Sequence, residues 1–132
     1  MSKSLTAFLA GNAEPLKNTR YVASERFKDE NGEFIEWVIR PVTSAENEAL
    51  KKRVRNGEVD NDDILLENAI LATVYPNLKD TELQKSYGVV GEAELLQALL
   101  PLPGEYYGYL MKVNSVLGYN KTPRQRVDEA KN

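Results

Sequence analysis

Cysteine and histidine are both absent from this sequence of 132 residues. Without cysteine there is no disulfide framework, no thiolate ligand for a metal and no cysteine nucleophile. Without histidine the chain lacks the commonest general base and a common zinc ligand, which excludes Ser-His-Asp and Cys-His catalytic arrangements. An enzyme built from this chain would have to use carboxylates, lysine or tyrosine.

Long apolar runs and phosphate-binding loops are missing as well. No apolar run approaches the roughly 20 residues that span a bilayer. Neither G-x-x-x-x-G-K nor G-x-G-x-x-G occurs. The apolar patch within residues 1–16 is only about five residues long, shorter than the core of a signal peptide. We therefore interpret residues 1–16 as a short docking segment of a cytoplasmic protein without membrane partners.

The overall composition is that of an ordinary globular protein, with 42% hydrophobic and 28% charged residues. A chain of this length fits one domain with one core. The net charge of -3 makes nucleic acid an unlikely partner, because binding along a phosphate backbone needs a concentrated basic face. Residues 120–132 lose all periodicity and carry four basic and two acidic side chains. We predict one domain over residues 1–119 and a disordered tail over 120–132.

Two segments near the N-terminus, 20–27 and 34–40, are rich in aromatic and β-branched residues and predict an antiparallel hairpin. Asn31 and Gly32 lie between them and suit a turn with positive φ. Alternation along the second segment predicts one buried face, made of Ile35, Trp37 and Ile39.

The register of this hairpin has two alternatives. A two-residue turn at Asn31-Gly32 would pair Phe27 with Glu36. A four-residue loop would instead pair Phe27 with Phe34, but it would also place Glu25 opposite Glu36.

Helical periodicity and capping residues dominate the rest of the chain. Thr43 and Glu46 have the spacing of a capping box, in which each side chain accepts a hydrogen bond from the other residue's backbone. The segment 62–75 is apolar on most of its faces and is expected at the centre of the core. The predicted helices cover 43–55, 62–75, 81–87, 91–100 and 105–118. The expected fold is α+β: a mostly helical single domain with one N-terminal antiparallel β-hairpin followed by about five helices.

The stretch 99–110, "LLPLPGEYYGYL", is expected to be a packed corner between the last two helices. Pro101 should end the first helix, and Pro103 with Gly104 should turn the chain. The leucines before the turn and the main stripe of the last helix are then assigned to the core. Three apolar side chains in this region are then expected to face away from the core. They are our candidate partner-binding residues: Leu102, Tyr107 and Met111.

Two charged stretches are candidate sites. The basic stretch 51–55 is either a solvated helix face or a patch for an acidic partner or nucleic acid, formed by Lys51, Lys52, Arg53 and Arg55. The acidic stretch 58–63 does not match a calcium loop, because the glycine and glutamate required at positions 6 and 12 are Leu65 and Leu71 when counted from Asp60. The sequence therefore predicts no metal, no cofactor and no catalytic residue.

The order of elements, together with several strings, resembles the XkdN-like tail assembly chaperones of long-tailed bacteriophages and prophages. The likeness covers most of residues 5–119, and its most specific marks are "VYPNLKD", "SYGVVG" and "PGEY". The strings that carry it are "LTAFLAGNA", "ERFKDENGEFIEWVIRPVTSAENEALKKR", "VYPNLKDTELQKSYGVVGEAELLQALL" and "LPGEYYGYLMKVNSVLGY".

This resemblance implies a non-catalytic binding protein. It would hold the tape measure protein soluble, help tail tube subunits gather around it, and leave before the tail is complete. The implied location is the host bacterial cytoplasm and not the finished virion, and self-association is left open. The resemblance brings no catalytic residue or cofactor with it.

The residues also allow two other functions, and the last three residues bear on how the gene is translated. The main alternative is a small prophage regulatory or nucleic-acid-associated protein that uses the basic stretch 51–55; a carboxylate-based hydrolase fits less well. The final residues Ala130, Lys131 and Asn132 could be encoded by GCA AAA AAC, which contains a slippery heptamer for a -1 frameshift. Chance codon usage explains the same residues.

Overall fold

A computed structural model describes the backbone of residues 2–119 and the side chains of residues 5–119. It has the predicted α+β architecture, with a three-stranded antiparallel sheet against a group of helices. The predicted tail 120–132 lies outside the described residues. The elements are α1 (Ser2–Phe8), β1 (Thr19–Tyr21), β2 (Trp37–Ile39), α2 (Ser44–Arg55), a 3-10 turn (Asn61–Asp63), α3 (Ile64–Ala72), β3 (Thr73–Tyr75), α4 (Thr81–Ser86), α5 (Glu92–Leu99) and α6 (Pro103–Val116).

The central strand of the sheet is β2, which pairs with β1 on one side and β3 on the other. Trp37 and Ile39 are buried on its inner face, as the alternation predicted, while Ile35 is half-buried. The strands are shorter than predicted, because the first segment leaves the ladder after Tyr21. There the Ser24 hydroxyl accepts a hydrogen bond from the Arg26 N–H (3.2 Å), a local bond that competes with strand pairing.

Both predicted registers of the hairpin are wrong. Lys28 lies opposite Phe34, and the Asp29 N–H donates to the Glu33 carbonyl (2.9 Å), which leaves a three-residue loop. Gly32 ends that loop with φ +79°, in the conformation of a glycine bulge. The Asp29 carboxylate accepts from two backbone N–H groups of the turn (2.8 and 3.0 Å), and this side-chain bonding selects the intermediate loop length.

The predicted capping box at the start of α2 is confirmed. The Glu46 N–H donates to the Thr43 hydroxyl (3.2 Å), and the Glu46 carboxylate accepts from the Thr43 N–H (3.1 Å). Arg40 adds two hydrogen bonds to the same carboxylate, at 2.9 and 2.7 Å. These bonds to Arg40 and Thr43 lower the pKa of Glu46 to about 2. The end of β2 is thereby attached to the start of α2.

The helix predicted over 62–75 is wrong at its end. It stops at Ala72, and Thr73–Tyr75 form β3 instead. Threonine and valine are β-branched, and Pro76 disfavours the helical conformation of the residue before it, so these residues pair readily with β2. Two apolar residues of the segment expected at the centre of the core are exposed, Leu65 in α3 and Val74 in β3. Val74, with 45% of its surface accessible, lies in the segment that forms a strand where a helix was predicted.

The core lies between the inner face of the sheet and helices α3, α5 and α6. Trp37 packs edge-on against Tyr109, with ring centroids 4.9 Å apart. The Thr73 hydroxyl donates to the Ala69 carbonyl (2.6 Å), so the Tyr109 hydroxyl must donate to Thr73 (2.6 Å). This chain of bonds joins α6, β3 and α3. Burial raises the pKa of Tyr109 to about 12.

The bend before the last helix differs in detail from the prediction. α5 ends at Leu99, and Pro103 is the first residue of α6, so Pro103 and Gly104 belong to the helix and do not form the turn. A proline is favoured at this position because its φ suits a helix and its missing N–H would have no partner there. The predicted core corner is otherwise present, since Leu99, Leu100, Tyr109 and Leu110 are buried and Tyr106 is partly buried.

Candidate binding face on the last helix

Helix α6 has a buried face and a solvent face. Its buried side chains are Tyr109, Leu110 and Val113, which lie at helical spacing against α3 and the sheet. The opposite side follows the spacing i, i+3, i+4, i+7 and consists of Gly104, Tyr107, Gly108 and Met111. We call these four residues the α6 face.

Each of the three residues predicted to bind a partner is exposed. Tyr107 has 63% of its surface accessible, Met111 56% and Leu102 56%. Tyr107 and Met111 are one turn apart and share the α6 face. Leu102 precedes the helix as its N-cap residue and does not share this spacing. The structure therefore brings two of the three candidates together on one face.

Two glycines alternate with these large side chains, a feature that our sequence reasoning missed. Gly104 and Gly108 are helical, and a Cβ atom built on either would meet no atom within 4 Å outside its own helix. A glycine inside a helix is less favourable than alanine by roughly 0.5–1 kcal/mol. Packing within the chain does not require glycine at either position. The G-x-x-x-G spacing of residues 104–108 was the available signal, since small residues at that spacing let a second backbone approach a helix.

The Tyr107 ring is held by its neighbour. It packs edge-on against the ring of Tyr106, with centroids 5.2 Å apart and an angle of 80° between the planes. Tyr106 is partly buried against the core, and this burial raises the pKa of its hydroxyl. The contact restricts Tyr107 before any partner binds, which reduces the entropy lost on binding. Tyrosine and methionine are both enriched where proteins bind other proteins.

The basic stretch on α2 is partly neutralised by neighbouring carboxylates. Lys51 lies 3.6 Å from Glu48, and Arg53 lies 3.6 Å from Glu58. Lys52 and Arg55 are exposed on the same helix. Two of the four cations thus have an acidic neighbour, an arrangement unlike the concentrated basic face of a nucleic-acid-binding protein.

Within the described residues there is no group of three or more aspartate, glutamate, histidine or cysteine residues placed to hold a metal ion. The same part of the chain has no helix that combines the length and the apolar character needed to cross a membrane. The residues of the α6 face themselves, with Tyr107 and Met111 exposed, form an apolar and aromatic contact surface.

Comparison with known proteins gives matches over most of the chain. The sequence model of the family described as phage XkdN-like tail assembly chaperone protein matches residues 5–131. The protein XkdN of the phage-like element PBSX, from Bacillus subtilis (strain 168), is 25% identical over 138 residues, covering 97% of this chain and 93% of XkdN. YqbN of the same strain is 26% identical with the same coverage. The crystal structure of YqbN matches with a TM-score of 0.77 at 26% identity, over 86% of this chain and 94% of that chain.

Proposed function

Because the chain belongs to the phage XkdN-like tail assembly chaperone family, as its motifs predicted, we propose that it binds the tape measure protein during tail assembly. In this proposal the chain keeps the tape measure protein soluble and helps to recruit tail tube subunits around it. It acts without catalysis in the host bacterial cytoplasm, and it leaves before the virion is finished.

The observation that carries this proposal is the family match together with the exposed α6 face. A chaperone for assembly must cover apolar surface of another protein and later release it. Tyr107 and Met111 offer such a surface, and Gly104 and Gly108 leave space for a helical segment of the partner to approach the α6 backbone. The face contains two large apolar side chains, Tyr107 and Met111, and a contact of this size favours reversible binding over a permanent complex.

The test is co-expression with the tape measure protein of the same phage or prophage. We expect the tape measure protein to be largely insoluble alone, to become soluble with the wild-type chain, and to copurify with an affinity-tagged chain. The double variant Tyr107→Ser with Met111→Ser should lose most of both effects, because it removes the apolar part of the α6 face.

The matched control is Val90→Ser. Val90 lies between α4 and α5 and has 89% of its surface accessible, so this change also removes one exposed apolar side chain but leaves the α6 face intact. Circular dichroism should show that all variants keep their helices. If the folded wild-type chain neither solubilises nor copurifies the tape measure protein, the proposed function is wrong. If the double variant behaves like the control, the α6 face is not the binding site.

A further inference from the structure

The N-terminal residues form an arm whose apolar side chains are exposed. Leu5, Phe8 and Leu9 follow the spacing i, i+3, i+4 on and just after α1, so they form one stripe. Phe8 has 81% of its surface accessible, and Leu16 in the following segment is exposed as well. We call residues 2–18 the arm. An apolar stripe of this kind is typical of a helix that packs against another protein surface.

The arm does not have the means to stabilise its own helix. α1 has seven residues, whereas isolated helices shorter than about 12–15 residues are marginal in water. The N–H groups of Asn12 and Ala13 donate to the Leu9 carbonyl, so these bonds stay within the arm. None of the arm's described apolar side chains belongs to the core cluster or to the residues packed around it. A docking surface for the stripe would supply the missing stabilisation.

A second exposed apolar surface lies on the outer side of the sheet. It is a shallow depression of about 700 Å³ between the hairpin and β3. Its apolar floor consists of Val22, Phe34, Ile35 and Tyr75, three of which are exposed. We call this surface the outer-face depression. Both this depression and the arm's stripe present exposed apolar side chains to solvent.

The charges of the two surfaces are also complementary. The lining of the outer-face depression carries the carboxylates of Asp29, Glu33 and Glu36 and the guanidinium of Arg20. The Lys28 ammonium lies over the Phe34 ring, 5.4 Å from its centroid, so the carboxylates exceed the cations by one. The arm carries two lysines, Lys3 and Lys17, against one glutamate, Glu14. An acidic rim around an apolar floor favours an apolar segment with a basic excess.

We propose that the arm of one chain docks in the outer-face depression of a second copy, and that the second copy returns the same contact. In the single chain both surfaces are exposed, so the arm does not occupy its own depression. A two-fold exchange places identical contacts on both chains. Burying four apolar side chains per arm, at roughly 100–150 Å² each, removes roughly 800–1,200 Å² from the two arms together, and the shallow depressions add a smaller area. The total lies at the lower end of the size of specific interfaces, as expected for a dimer that dissociates on dilution.

The first test uses the isolated full-length chain and does not depend on the proposed function. Sedimentation velocity between about 1 and 100 μM should show a dimer that dissociates on dilution. Phe8→Ser should weaken the dimer at least about tenfold, because it removes a large apolar side chain from each of the two contacts. Val90→Ser, which changes an exposed side chain outside both surfaces, should leave the dissociation constant unchanged. A wild-type monomer at every concentration overturns the proposal, as does a dimer that Phe8→Ser leaves intact.

The second test locates the contact and exploits the absence of native cysteine. The single variants Phe8→Cys and Tyr75→Cys are mixed and treated with a short bismaleimide, and the products are separated by denaturing electrophoresis. We expect cross-linked dimers that contain one chain of each variant to exceed those from either variant alone. Val90→Cys replaces Tyr75→Cys in the control mixture and should give few dimers. If the double variant Phe8→Cys with Tyr75→Cys closes within one chain and mixtures give no mixed dimer, the arm binds its own chain and the proposal is wrong.

Discussion

Replacing Gly108 by alanine is predicted to stabilise the fold and, if the α6 face binds the partner, to weaken that binding. Gly108 lies inside α6, is not among the glycines with positive φ, and has open space where a Cβ would be added. The change therefore removes the helix penalty of glycine without introducing a clash. We expect the free energy of unfolding to rise by about 0.5–1 kcal/mol, equivalent to a melting temperature higher by about 2–4 °C.

The matched control is Gly32→Ala in the hairpin. A Cβ at Gly32 would also meet nothing within 4 Å, but φ there is +79°. An alanine in this left-handed conformation costs about 1–2 kcal/mol, so the control should destabilise the protein. The two substitutions are chemically identical and both add a methyl group in open space. Backbone conformation is the difference that should give them opposite signs.

Urea unfolding followed by circular dichroism measures both free energies. The binding half of the prediction uses the copurification assay. There Gly108→Ala should retain clearly less tape measure protein than wild type, because its methyl group fills space that the glycine leaves open on the α6 face. A loss of stability in Gly108→Ala would refute our description of the helix. Higher stability with unchanged binding would show that the partner does not approach α6 at Gly108.

Three further predictions concern hydrogen bonds and packing within the fold. Tyr109→Phe should lower the free energy of unfolding by about 1–2 kcal/mol. Because the pKa of Tyr109 is raised to about 12, wild type should also lose stability between about pH 10, where the unfolded tyrosine ionises, and pH 12. Urea titrations that show the same loss in the variant would contradict this. Glu46→Gln should lower the free energy of unfolding by about 1 kcal/mol at pH 7 through its weaker bond to Arg40. Since the pKa of Glu46 is lowered to about 2, the carboxylate's contribution to stability is present above the ordinary value of 4.5 and is lost as the pH falls toward 2. Equal acid sensitivity in the variant would exclude this linkage. Leu95→Ala should lower the free energy of unfolding by about 2–5 kcal/mol, because it leaves a cavity in the core. Leu102 is exposed, so Leu102→Ala should change it by less than about 0.5 kcal/mol, and thermal melts of both variants measure the difference.

The candidate site was only partly predictable from the sequence. The periodicity of the last helix assigned Tyr109, Leu110 and Val113 to the core, and this left Tyr107 and Met111 for the solvent side. The same pattern could not place Leu102, because an N-cap residue lies outside the helical repeat. It also did not reveal that the glycines at 104 and 108 face open space, since that depends on which other elements lie near α6.

The sequence by itself determined the features that depend on interactions between residues close together along the chain. The capping box at Thr43 and Glu46 and the positive φ of Gly32 involve residues a few positions apart, so their chemistry can be recognised locally. The alternation that buries Trp37 and Ile39 is local in the same sense.

Only the tertiary structure decided the features that need a distant partner. Thr73–Tyr75 continue an apolar helical pattern, yet they become a strand because β2 offers free backbone groups for pairing. That strand exposes Val74 and brings the Thr73 hydroxyl to Tyr109, 36 positions further along the chain. Whether an apolar side chain is core or contact surface depends on what lies against it in space, and sequence periodicity contains no information on that.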